Sequence, residues 1–128
     1  MALFRCSSGA GSTPQETTLW TNPNPTSSYT STAGTLSDDP SNYDEIKVKY
    51  RVSTTDATEK YVTTASTDWA VAGGRPVALL VLYSGNLYAR SFYMNSSTVF
   101  NAGLAYRVNA AGNVGVAAIP LEIIGIKH

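Results

Sequence analysis

The stretch EIKVKYRVS, residues 45–53, sets Ile46, Val48, Tyr50 and Val52 against Lys47, Lys49, Arg51 and Ser53. Strict period-two alternation places one set on a buried face and the other in water, which is the pattern of a half-buried β-strand. Residues 54–58 read as a turn, and EKYVTTAS, residues 59–66, as the antiparallel partner. Upstream, residues 37–42 (SDDPSN) are dense in turn formers. Residues 34–37 and 17–20 are short β-prone pieces. Residues 22–31 cannot form a central strand, because Pro23 and Pro25 lack amide donors and hold Asn22 and Asn24 extended.

Downstream, residues 67–76 form a loop holding Trp69 and the pair Gly73-Gly74. VALLVLY, residues 77–83, is apolar on both faces and is expected as a central strand. Ser84-Gly85-Asn86 turns the chain into LYARSFYM, residues 87–94, to make a hairpin. Residues 98–109 hold one or two strands with a bulge at Gly103, and 110–113 break the chain again. IPLEIIGIK, residues 119–127, closes the sequence, with Pro120 pointing to an edge or a bulge. No stretch has helical periodicity. About eight short strands at even spacing predict an all-β fold, an antiparallel β-sandwich of jelly-roll-like type. Residues 1–15 read as a flexible N-terminal arm and 16–128 as the sandwich domain.

Composition supports this and narrows function. Charged residues are 14% of the 128, against about 25% in typical domains. Hydroxyls replace them, with 14 Ser and 15 Thr. Thr favours strand and neither favours helix. Nine basic and nine acidic residues cancel, which argues against nucleic-acid binding and against a polybasic membrane anchor. No apolar run approaches the ~20 residues of a membrane-spanning helix, so no membrane insertion is expected. The single cysteine, Cys6, cannot form an internal disulfide.

The residues for catalysis are sparse. The lone histidine, His128, is the last residue and is expected to fray, which makes a poor general base. One Cys and one His cannot make a closed zinc site. Asp38, Asp39, Asp44 and Glu45 do not match a calcium-binding loop and read as a solvated turn. Asp56, Glu59, Asp68 and Glu122 sit in no glycosidase motif. The expectation is a protein that is not an enzyme and uses no cofactor or metal. Eight tyrosines and two tryptophans suit recognition, since each ring gives a large contact area and one polar handle. Trp69, Tyr83, Asn86 and Tyr88 are the candidate ligand contacts, with Trp69 expected to be exposed in its Gly-rich loop.

The segment LWTNPNPTSSYTSTAGTLSDDPSNYDEIKVKYRV resembles one that recurs in small β-sandwich structural proteins of tailed bacteriophages. The matching residues are Leu19, Trp20, Asn22, Pro23, Pro25, Leu36, Tyr43, Asp44, Ile46 and Val48, and the closing IPLEIIGIK resembles their last strand. The resemblance implies a virion protein in a tail, fibre or capsid-surface position, made in the host cytoplasm. Its implied partners are other virion proteins and further copies in a homotrimer; a host-surface glycan is the expected partner if the chain is an attachment module. Leu3, Phe4 and Arg5 are the expected particle anchor. On this reading Trp20 covers the base of the sandwich, and Pro23 and Pro25 stiffen the crossing between sheets. The rival expectation is a receptor- or carbohydrate-binding module that mediates host attachment.

Overall fold

A computed structural model describes residues 13–30 and 32–128. The described chain is an antiparallel β-sandwich of ten strands, β1 (Gln15–Thr21), β2 (Thr32–Thr35), β3 (Glu45–Ser53), β4 (Glu59–Ala65), β5 (Ala78–Tyr83), β6 (Asn86–Met94), β7 (Val99–Ala102), β8 (Ala105–Arg107), β9 (Asn113–Val114) and β10 (Ala117–Lys127). One sheet has the order β1-β10-β3-β4. The other has the order β9-β8-β6-β7-β2, with β5 on the opposite edge of β6. Strand β6 organises this second sheet. Its first half pairs β8 through Tyr88 and Ala89, and its second half pairs β7 through Phe92 to Met94.

The alternation in β3 is realised as expected. Ile46, Val48, Tyr50 and Val52 are all buried, and they share the core with Leu79, Val81, Phe92, Phe100, Ile119 and Ile123. Each such side chain contributes about 1.5–3 kcal/mol on burial. The pairing of β3 with β4 runs from Glu45↔Ala65 to Arg51↔Glu59. Of the edge or bulge expected at Pro120, the structure has a bulge, since β10 is paired on both sides and its register against β3 shifts between Pro120 and Glu122. The region around Gly103 is two strands, β7 and β8, rather than one bulged strand.

The Leu19–Pro25 segment is a structural element. Leu19 is buried, and its carbonyl accepts from the Ser37 amide at 2.9 Å. Trp20 packs edge-on against Phe100 at 5.1 Å and Tyr29 at 6.3 Å. The buried Asn22 amide donates to the Pro120 carbonyl at 2.8 Å, and the Asn22 backbone N–H to Leu121. Pro23 and Pro25 then carry the chain from β1 in one sheet to β2 in the other. Gly34 of β2 is glycine for a packing reason. A Cβ there would lie 2.4 Å from Phe100 Cζ and 3.0 Å from Trp20 Nε1.

One expectation is corrected. Strand β5 was expected to be central, but it pairs only with β6 and is an edge strand. Leu79 and Val81 face the core, while Leu80 and Leu82 are exposed. An apolar run on both faces implies a central strand only when something covers both faces, and among the described residues nothing covers the outer one. The edge is partly closed from within, because the Tyr50 hydroxyl crosses from β3 and donates to the Leu80 carbonyl at 2.9 Å. Burial raises the Tyr50 pKa.

Alternation along β6 also turns Arg90 inward, between Tyr88 and Phe92, where it is fully buried. Its five N–H groups all find backbone carbonyls. Nε donates to Ala118 at 2.8 Å, Nη1 to Tyr29 at 2.9 Å and to Gly103, and Nη2 to Ala117 at 2.9 Å and Gly115 at 3.1 Å. The Tyr29 ring lies 5.3 Å from the guanidinium. Burying an unpaired cation is costly, and here carbonyl dipoles take the place of a counterion. Desolvation draws the Arg90 pKa down to about 10, with Tyr29 working in the other direction, so it stays cationic at neutral pH.

Candidate functional site

The two outer faces differ in kind. On the β1-β10-β3-β4 face, Lys47 pairs with Glu16 at 3.1 Å, and Lys49 sits between Glu122 at 3.6 Å and Glu59 at 3.8 Å. Ile124 and Ile126 lie on this face opposite Lys47 and Glu16, and they are buried although outside the core cluster. Long charged side chains cover apolar surface in this way while keeping their heads in water. This face is a solvated one.

The outer face of the six-stranded sheet carries none of the ion pairs among the described residues. Leu80, Leu82 and Leu87 are exposed at one end of it, with Leu82 at 71%. Leu82 stands directly across from Leu87 in the hairpin. Tyr106 is exposed in the row that joins Leu80, Ala89 and Tyr106. At the other end the face sinks into an open groove of about 420 Å³ whose lining includes Arg75, Ser91, Tyr93, Asn101, Leu104 and Tyr106, together with Asn95. The two ends lie six residues apart along β6, from Leu87 to Tyr93, or about 20 Å.

Arg75 is placed there by local backbone. Residues 71–74 close a turn, with the Gly74 amide donating to the Val71 carbonyl at 2.9 Å and Gly73 at φ +82° in the position that favours glycine. The Met94 amide then donates to the Gly74 carbonyl at 2.9 Å, and the Phe92 amide to the Val77 carbonyl at 3.0 Å. Two residues, Arg75 and Pro76, thus oppose the single residue Tyr93, which is the geometry of a bulge. Pro76 has no amide to leave unpaired in it. The Arg75 guanidinium lies over the Tyr93 ring at 5.1 Å.

The candidates named from sequence are placed differently. Trp69, expected to be exposed, is completely buried. It follows a single 3-10 turn, Ser66–Asp68, packs against Phe92 at 5.9 Å, and donates from Nε1 to Thr64 Oγ1 at 2.8 Å. An indole outweighs a Gly-rich context, because its large apolar area is worth more inside. Tyr88 is also buried, and it meets the half-buried Tyr83 edge-on at 5.8 Å. Asn86 accepts from Arg107 at 3.1 Å and donates to the Ser84 carbonyl at 3.3 Å. Tyr83, Asn86 and Tyr88 therefore cluster at the hairpin end, with the two tyrosines spent on packing. Leu3, Phe4 and Arg5 lie outside the described residues.

The acidic turn is occupied by its own structure. The Asp38 carboxylate accepts from the Tyr43 hydroxyl, the Asp39 amide and the Asn42 side chain at 2.8–2.9 Å, which holds its pKa below the usual value. Asp39 caps the 3-10 turn Pro40–Asn42 through the Ser41 amide. Among the described residues no three of His, Cys, Asp and Glu gather as a metal set. His128 is held rather than frayed, with its amide on Asp44 Oδ2 at 2.6 Å and its ring on Glu45 Oε1 at 2.8 Å.

The groove residues Arg75, Tyr93 and Tyr106 were not legible as a site. The parity of β6 did require one of its tyrosines to face outward, and Tyr93 is that one. No known protein family matches the chain, and no curated protein matches it significantly.

Proposed function

We propose that the chain is a non-enzymatic structural protein of a bacteriophage particle, a head-fibre, decoration or tail component whose sandwich projects from its attachment point. The observation that carries this reading is the contrast between the two outer faces. The paired charges of Lys47 and Lys49 suit a surface in water, whereas the unpartnered Leu80, Leu82 and Leu87 suit a surface covered by a neighbouring subunit. The residue-level resemblance from Leu19 to Val48 supplies the particle context. On this reading Leu3, Phe4 and Arg5 anchor the chain, and the leucine end of β5 and β6 meets another virion subunit or a second copy.

Immunogold labelling of intact phage particles, with an antibody raised against residues 16–128, tests it. Label on capsid faces supports a decoration or head-fibre protein, and label at the tail tip supports an adsorption component. Particles that carry no label overturn the reading.

A second reading, host attachment through a glycan, is favoured by the groove at the far end of the same face. Two exposed tyrosines, an arginine and two amides on a rigid sheet make a surface suited to a sugar ring and its hydroxyls.

A further inference from the structure

We propose that the groove binds a saccharide bearing a carboxylate, with Arg75 as the carboxylate ligand and the Tyr93–Tyr106 surface as the platform for the ring. The proposal rests on the attachment reading and names its ligand class.

The charge distribution points to an anion. Arg75 is the one charged residue lining the groove, and no carboxylate lines it. Among the described residues Arg75 is in no ion pair, whereas both lysines of β3 are paired. The Arg75 guanidinium sits over the Tyr93 ring with no carboxylate partner among the described residues, and its planar N–H fork is the shape that matches a carboxylate. The arginine is also prepositioned. The hydrogen bonds Met94–Gly74 and Phe92–Val77 fix the bulge on both sides, so little order is lost when a ligand arrives.

The rest of the groove points to a sugar rather than to an acidic peptide. The groove is open, and its floor is the pleated outer face of β6, β7 and β8, with Tyr93 and Tyr106 both exposed. Ser91, Asn95 and Asn101 ring these tyrosines with hydroxyl and amide groups, the donors and acceptors that a sugar's hydroxyls require. Among the described residues Leu104 is the one aliphatic side chain in the lining, little apolar surface for a peptide side chain.

The test titrates the full chain, followed by ¹H–¹⁵N NMR, with matched pairs of oligosaccharides that differ in charge. The pairs are trigalacturonic acid with its neutral galactose counterpart, and sialyllactose with lactose. A glutamate tripeptide is the comparison anion. At least one acidic sugar is expected to shift the amides of Tyr93, Asn101 and Tyr106, and to bind about tenfold tighter than its neutral partner, the size of one charge-assisted hydrogen-bonded contact. Arg75→Gln should erase that preference, bringing the acidic sugar down to the affinity of its neutral partner on the same variant. Tyr106→Ala should weaken both sugars. Both side chains are exposed, so unchanged melting is expected for each variant. Equal binding of acidic and neutral sugars overturns the ligand class and leaves the attachment reading standing. Absence of binding by every sugar overturns both. Equal binding of the glutamate peptide overturns the saccharide assignment in favour of a general anion site.

Discussion

The Nε–H of Arg90 donates at 2.8 Å to the carbonyl of Ala118, a residue held at φ +51°. That conformation costs a non-glycine residue roughly 1–2 kcal/mol. It occurs at the start of β10, where the carbonyls of Gly115, Ala117 and Ala118 all turn toward one guanidinium. Arg90 therefore ties together the residues before β2, the β7–β8 link and the beginning of β10. Arg90→Leu removes all five of these donors, leaving the Gly115 carbonyl with the Tyr29 amide at 2.8 Å. It should destabilise the domain by about 3–5 kcal/mol in urea unfolding. Arg90→Lys, with three donors, should recover only part of the loss. Ala118→Gly should do the opposite and stabilise by up to about 1 kcal/mol. An Arg90→Leu protein that unfolds at the wild-type midpoint would show that the clamp contributes nothing.

Trp69 separates a core role from a ligand role. Its complete burial and its bond to Thr64 require that Trp69→Ala lose about 3–5 kcal/mol of stability. Trp69→Phe should keep much of the packing while losing the hydrogen bond, for a smaller cost. Thermal melts of the two variants check the order. An unchanged melting temperature for Trp69→Ala would put the indole back on the surface.

The pair Gly34 and Phe100 should behave as one unit. With a Cβ at position 34 only 2.4 Å from the Phe100 ring, Gly34→Ala should cost about 1–3 kcal/mol through overpacking. Phe100→Leu shortens the ring side of the contact at its own cost. The double variant should lose less than the sum of the two single losses, because the clash is no longer present. Strict additivity in a double-mutant cycle would refute the contact as the cause.

Alkaline pH should expose the Tyr50–Leu80 bond. Burial raises the folded pKa of Tyr50 above its unfolded value of about 10. A raised folded pKa means that the stability from this hydroxyl is fully present below about pH 10 and is lost as pH rises through the folded value. Tyr50→Phe should therefore be less stable than wild type at pH 7 by about 1 kcal/mol. The gap should close between pH 10 and 12. Because Arg90 is common to both proteins, its own titration cancels in the difference. A gap that stays constant to pH 12 would mean that the phenol does not titrate with folding.

Much of the fold was legible because strand alternation is a local property. The set Ile46, Val48, Tyr50 and Val52 needs one buried face whatever lies opposite, and Ser84-Gly85 must turn because Gly85 takes φ +79°. Asn22 to Pro25 could only be a crossing, since two prolines cannot join a ladder. These readings depend on backbone geometry within a few residues.

What only the tertiary structure decided depends on which distant segments close over one another. Alternation alone places Arg90 and Phe92 on the same face of β6. It does not reveal that five carbonyls from the segments around Tyr29, Gly103 and Gly115 to Ala118 converge to receive a cation there. Trp69 followed the same logic, since the loop composition around it says nothing about the space left beside Phe92. The groove joins Arg75, Tyr93, Asn101 and Tyr106 from a bulge and three strands, so their meeting is a product of register. Sequence by itself determined an antiparallel β-sandwich, because each strand's alternation is written in adjacent residues. The tertiary structure alone decided which side chains face the core or the groove, because enclosure is a property of pairs of segments and not of either one.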